Sequence, residues 1–180
     1  MTFDIASPLK TENEVAVLVS RLFEEYAGQI CAYIHSLVGD WDLAHDLTQE
    51  TYLRLFRARL RLPQIENQRA WLYRIATRTT FNELKRRKRF AWLPWHKADE
   101  RLQYDWMAGV ETEVEHRELV SRALAMLSTN YRAPLILYDG HGFSIREIAE
   151  TLEISEGAVK TRLHRAREQF QRFYEQVSQP

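Results

Sequence analysis

The chain has 180 residues and a mass of 21.4 kDa, room for one large domain or two small ones. Its 45% hydrophobic and 28% charged residues are an ordinary soluble composition rather than that of a disordered chain. The single cysteine, Cys31, excludes an intrachain disulfide framework and a four-thiolate zinc site, and suits a reducing compartment. No apolar run approaches the roughly 20 residues that cross a bilayer, and the start lacks the basic-then-apolar order of a signal peptide, so no membrane insertion and a cytoplasmic location are expected. Formal net charge is zero, 25 basic against 25 acidic residues, but the signs are segregated. Residues 24–50 hold six acids and no Lys or Arg; residues 69–89 hold eight bases against Glu83; residues 99–118 hold seven acids and two bases; residues 156–172 are basic again. Because salt screens charges over about 10 Å, these blocks act nearly independently and predict different partners for different surfaces.

In chain order, Val15, Leu18, Leu22, Tyr26, Ile30, Tyr33 or Ile34, and Leu37 repeat at three and four, which predicts an amphipathic helix ending at Gly39. Asp40 or Asp42 can cap a second helix running to about Arg61, with Leu43, Leu47, Leu55 and Phe56 inward and Pro63 closing it. Asn67 is the expected N-cap of a third, carrying Ala70, Leu72, Ile75, Ala76 and Leu84 into the basic run Lys85–Arg89. Between Phe90 and about Glu113 the periodicity dissolves around Pro94, Gly109, Trp92, Trp95 and Trp106, which reads as a linker able to pack its tryptophans on a partner. The rest, residues 115–174, reads as a compact helical unit. The expectation is an all-α chain of two helical domains, residues 12–89 and 114–175, joined by the linker 90–113.

Within the second domain, Ser144-Ile145-Arg146-Glu147 has the form of a capping box opening a short helix through Leu152. Glu153-Ile154-Ser155 follows as a tight turn, and a second helix carries Val159, Leu163, Ala166, Phe170 and Phe173 inward. This is the pattern of a helix-turn-helix, whose second helix lies in the DNA major groove. Its outward residues are Lys160, Thr161, His164 and Arg165, with Arg162 and Arg167 nearer the phosphates.

Residues 119–170, with Gly142-Phe143-Ser144, Glu147-Ile148-Ala149, Val159-Lys160-Thr161-Arg162-Leu163 and Arg165-Ala166-Arg167, resemble region four of the extracytoplasmic-function sigma factors. Asp46-Leu47-Thr48-Gln49-Glu50-Thr51 resembles that family's region-two clamp motif, and Ala70-Trp71-Leu72-Tyr73-Arg74-Ile75-Ala76 the segment leading into its promoter-melting helix. The resemblance implies a dissociable initiation subunit of bacterial RNA polymerase. Asp46, Leu47, Thr48, Gln49, Glu50 and Thr51 would dock on the beta-prime coiled coil of core polymerase, with the beta flap as a further contact. Trp71, Tyr73, Arg74, Arg78, Asn82, Lys85 and Arg86 would bind the minus-ten element. Lys160, Thr161, Arg162, His164, Arg165 and Arg167 would read the minus-35 element. Members are often held by an anti-sigma factor, and no residue pattern here identifies one. The sequence departs from the family twice: Arg78 stands where many members have Asn, and Glu153 stands where the turn usually has Gly. A left-handed conformation at Glu153 would cost about 1 kcal/mol.

The competing reading is an autonomous helix-turn-helix regulator, which leaves the basic, aromatic-flanked third helix without a task. His35, His45, His96, His116, His141 and His164 show no metal-ligand spacing, and there is no Gly-rich phosphate loop. Neither catalysis, nor a cofactor, nor a metal is expected.

Overall fold

The computed structural model describes residues 12–90 and 111–178, and every regular element among them is helical. Helix α1 (Glu12–Val38) buries Val15, Leu18, Leu22, Ile30, Tyr33, Ile34 and Leu37, the stripe set by the three-and-four spacing. It stops where Gly39 turns left-handed at φ 74° and its N–H donates to the His35 carbonyl at 2.7 Å. Asp40 then caps α2 (Trp41–Arg57) by accepting from the Leu43 N–H at 3.0 Å. The hydroxyls of Thr48 and Thr51, both buried, donate back to the Ala44 and Leu47 carbonyls at 2.7 Å, so they enter the core with their hydrogen bonds made.

The sequence reading carried this helix to Arg61; it ends at Arg57 and tightens into a 3-10 turn, Arg59–Gln64. Pro63 lacks an N–H, and in an α-helix its ring would clash with the carbonyl four residues earlier, whereas the tighter turn accommodates it and buries Leu62. Phe56, expected inward, is 47% exposed. Helix α3 (Gln68–Phe90) starts at the predicted cap, with the Ala70 N–H donating to Asn67 Oδ1 at 2.8 Å. Its Thr77 hydroxyl lies 2.8 Å from that of Tyr33, a polar tie across the three-helix core.

In the second half, α4 (Glu111–Met126) and the short α5 (Thr129–Leu135) are followed by a π-turn, Ile136–Gly140. Gly142 at φ 66° redirects the chain into α6 (Ile145–Leu152). The capping box is formed: the Glu147 N–H donates to Ser144 Oγ at 3.2 Å and the Ser144 N–H to Glu147 Oε2 at 2.8 Å. Glu153 ends α6 at φ 56°, ψ 45°, the left-handed conformation anticipated for the missing glycine. Ser155 accepts from the Ala158 N–H at 3.2 Å and opens α7 (Glu156–Ser178), which buries Val159, Leu163 and Ala166 as expected.

The two halves are not insulated from each other. One continuous apolar cluster runs from α1–α3 through Phe143, Ile148 and α7. The linker's Trp92, Trp95 and Trp106 lie outside the described residues. Arg132, on α5 and 6% exposed, joins the halves: its guanidinium donates to the Leu37 carbonyl at 3.3 Å and the Ser36 carbonyl at 3.5 Å, and to the carbonyls of Leu127, at 2.7 Å, and Ala125. It thereby serves the C-terminal ends of two helices, where bare carbonyls and the helix dipole both favour a cation. Arg132→Ala is expected to lower stability in urea by on the order of 3 kcal/mol, because charge-assisted hydrogen bonds are lost around buried carbonyls. Arg132→Lys should recover only part of it, since an ammonium cannot span both helix ends.

Candidate nucleic-acid and protein interfaces

The clamp-like motif divides by face. Asp46 and Gln49 are exposed, Glu50 is half-buried and accepts from Arg54 Nε at 2.7 Å, and Leu47, Thr48 and Thr51 are buried. The last three therefore pack α2 against its neighbours in this structure. What the sequence reading missed lies further along the same face. Leu53 and Phe56, 51% and 47% exposed, continue Asp46 and Gln49 at helical spacing; Phe23 of α1, also exposed, packs edge-on against Tyr52 at 4.9 Å. Periodicity held the signal: with Leu55 inward, Leu53 cannot face the same side of the helix.

On α3, Arg74, Arg78, Asn82, Lys85 and Arg86 are exposed and Trp71 is half-buried, forming one basic stripe. Glu83 sits beside it, accepting from Arg86 at 2.7 and 2.8 Å and from Arg87 at 3.1 Å; these bonds, Arg86 first, hold its carboxyl below the usual range. Tyr73 is placed apart from this stripe. It lies on the opposite side of the helix, fully buried, its hydroxyl 3.0 Å from His141 Nδ1 and its ring against those of Tyr33 and Phe143. Burial pushes its pKa up to about 12. Its spacing of three residues from both Ala70 and Ala76, on the apolar stripe, was the available cue that it faces the core.

On α7, Lys160, Thr161, His164 and Arg165 are exposed and Arg162 is half-buried, as the helix-turn-helix reading requires. Arg167 is exposed as well, but it turns back to Asp139 at 2.9 Å and lies over the Tyr138 ring at 5.0 Å. It braces the π-turn against α7, a role sequence spacing could not show.

Two family profiles match in tandem: sigma-70 region 2 over residues 22–90 and sigma-70 region 4 over residues 117–170. The chain is 31% identical over 156 residues to the ECF RNA polymerase sigma factor SigL of Mycobacterium tuberculosis, an alignment covering 84% of this chain and 85% of that protein. The chain belongs to the ECF RNA polymerase sigma factors. It is also 30% identical to SigE of Mycolicibacterium smegmatis over 82% of its own length and 58% of that relative's. Among solved structures, the sigma factor RpoE in complex with the anti-sigma factor NepR from Bartonella quintana has a TM-score of 0.70 at 22% identity, covering 87% of this chain and 96% of that one. CnrH in complex with the cytosolic domain of CnrY has a TM-score of 0.58 at 20% identity, covering 92% and 90%. Both share the fold.

In this sigma factor the exposed residues of α2, α3 and α7 form three surfaces of different character: acidic and apolar, basic with an aromatic, and basic. Among the described residues no three His, Cys, Asp or Glu side chains converge as metal ligands, and no helix is long and apolar enough to cross a membrane.

His141 lies where region 4 meets α3, and burial first, then Arg69, lowers its pKa from 6.5 to about 4. The fold thus keeps its imidazole neutral, able to accept from the Tyr73 hydroxyl. As pH falls from about 6.5 toward 4 the unfolded chain takes up the proton and the folded chain does not, so stability is lost with acidification across that window. From pH 7 to 5 this residue should cost about 1 to 2 kcal/mol. Urea midpoints of His141→Gln should show a correspondingly shallower pH slope than wild type.

Proposed function

We propose that this chain is a promoter-specific transcription initiation factor that binds core RNA polymerase and directs it to its promoters, supplying recognition and no catalysis of its own. The observation that carries the reading is the ordered presence of regions 2 and 4, each with its exposed face formed. Residues 12–89 would form the docking and minus-ten half, 90–113 the linker and 114–175 the minus-35 half. It would act in the cytoplasm, where core polymerase and the chromosome are. The autonomous-regulator reading is not favoured, because it gives region 2 nothing to do.

Docking would use the exposed face of α2, where Asp46 and Gln49 supply charge and hydrogen bonds and Leu53 and Phe56 supply apolar area. Acidic residues steer a basic partner, while desolvated apolar and aromatic anchors hold it. Asp46→Arg with Glu50→Arg is expected to weaken binding to core polymerase about tenfold or more, roughly 1.4 kcal/mol, read by titrating core with fluorescently labelled chain. Because Asp46 is exposed and the half-buried Glu50 is tied only to the surface Arg54, the double variant should keep the wild-type helical content; unchanged core affinity would remove the assignment.

DNA contact would divide between α3 and α7. On α3, Trp71 supports stacking on single strands, and Arg74, Arg78, Asn82, Lys85 and Arg86 track the backbone. On α7, Lys160, Thr161, Arg162, His164 and Arg165 would face the groove of the minus-35 duplex. Arg165→Ala should cost about 1 to 3 kcal/mol on some upstream-element sequences and little on others if it contacts a base edge. A uniform loss with a shallower salt dependence would identify a phosphate contact instead. Core-dependent transcription from a panel of upstream-element variants at two salt concentrations separates the outcomes. An anti-sigma factor is a further expected class of partner, in keeping with the complexes in which the two structural neighbours were solved.

A further inference from the structure

Helix α2 turns outward a second pattern that its inward packing does not use. Asp42, Asp46, Gln49, Leu53 and Phe56, all exposed, recur at four, three, four and three residues, the spacing at which two helices mesh along a seam. Charge is sorted along it. Asp42, Asp46 and the half-buried Glu50 occupy the N-terminal part, whereas Arg54 and Arg57 in the last turn and Arg59 and Arg61 in the 3-10 turn make the other end basic. The Arg59 guanidinium lies over the Phe56 ring at 4.4 Å and donates to the Phe56 carbonyl at 3.3 Å, which fixes a cation at the edge of the apolar pair Leu53 and Phe56.

Acids at the start of a helix and bases at its end serve the helix dipole, and that accounts for the signs. It does not account for two large apolar side chains left in water midway between them. A face that is acidic at one end, apolar toward the middle and basic at the other is complementary to itself after a half-turn. In an antiparallel pair with its axis at Leu53, that side chain meets its own copy and Gln49 lies against the partner's Phe56. Asp46 then faces the partner's Arg59, and Glu50 the partner's Arg57. A parallel pair would set Asp46 against Asp46 and Arg57 against Arg57, which like-charge repulsion disfavours.

We infer that the outward face of α2 is a self-association surface, on which a second copy of this chain docks antiparallel to form a symmetric dimer. The seam from Asp42 to Phe56 is about 21 Å long. One helix pair of that length belongs with the weak interfaces below about 1,200 Å², so a dissociation constant between about 10 μM and 1 mM is expected. Dimer and polymerase complex would exclude each other, so that chain in excess over polymerase masks its own docking face. That exclusion rests on the reading of this face as the docking surface; the self-association does not.

The test is sedimentation equilibrium of the full chain from about 5 to 500 μM, across which the wild type should pass from monomer toward dimer. Asp46→Arg with Glu50→Arg, and separately Arg57→Glu with Arg59→Glu, should each weaken dimerisation about tenfold or more, because each leaves like charges opposed. An equimolar mixture of the two variants should associate at least as tightly as the wild type, since every opposed pair is then of opposite sign. A wild type that stays monomeric throughout overturns the proposal. So does either folded variant dimerising like the wild type, or a mixture of folded variants that does not associate. Should charge reversal unfold the chain, Leu53→Cys in a Cys31→Ala background should oxidise to a disulfide-linked dimer about fivefold or more faster than Asp42→Cys in the same background, because only residue 53 meets its own copy. Equal rates overturn the antiparallel seam. Core polymerase in excess should convert the dimer to a one-to-one complex, and a dimer that persists on core overturns the exclusion. A chain that dimerises as described but does not bind core supports the self-association and removes the docking reading instead.

Discussion

Burying the Tyr73 ring requires walls from both halves of the chain. Tyr33 of α1 closes one side, Phe143 and His141 close another, and the hydroxyl, which cannot be left unbonded in such a site, meets His141 Nδ1. A tyrosine here, rather than a phenylalanine, supplies the hydroxyl that meets His141 at 3.0 Å. The neutral imidazole is a consequence of position: burial strips its water and Arg69 stands beside it, and both effects disfavour a second positive charge. Much of the geometry described above, including the placement of the turn at Glu153 over Arg74, follows once that aromatic contact fixes where α6 sits.

Net charge is a poor guide to this chain, and the reason is visible at Glu83. The basic end of α3 concentrates Lys85, Arg86, Arg87, Lys88 and Arg89 within two turns, where like charges repel. A single half-buried carboxylate takes Arg86 in a two-pronged contact and Arg87 in a third bond, so it organises part of the run without cancelling it. The remaining cations face outward, which suits a surface meant for a polyanion. At the opposite pole, the acids of α2 share their face with Leu53 and Phe56. A solvated helix face would have little reason to expose two large apolar side chains, whereas an interface uses such area for affinity.

Sequence reasoning reached the elements whose signals are local. The Asp40 and Asn67 caps, the Ser144–Glu147 box, the Gly39 stop and the inward set of α7 are each written within four residues, and all are present. It failed where the outcome depends on distant partners. Tyr73 looked like a stacking residue because the aromatic partners that bury it, Tyr33 and Phe143, lie far away in the chain. Leu47, Thr48 and Thr51 looked like contacts because a motif is read as a block, while a helix presents only one side of it. Arg132 and Arg167 carried no local cue at all; their partners are carbonyls of another helix and an aspartate in a π-turn. The contact between the halves was illegible for the same reason, since each half has a complete amphipathic pattern of its own.

The chemistry of that contact sets how firmly the two halves hold each other. Its polar members are groups that water can serve equally well: the exposed Arg74 and Glu153, the part-exposed pair of Asn67 and Glu147, and the carbonyls at the C-terminal end of α1. Losing a hydrogen bond to solvent costs little, because the net worth of each is only about 1 kcal/mol. Arg132 differs in being buried, but part of its hydrogen bonding stays within region 4, at Ala125 and Leu127, so separation from α1 would not leave it without acceptors. The aromatic rings are the groups that lose most, and they are few. Interfaces between domains of one chain are commonly of this mixed kind. A seam of leucines at the same place would have buried more apolar area and held region 4 to region 2 far more firmly.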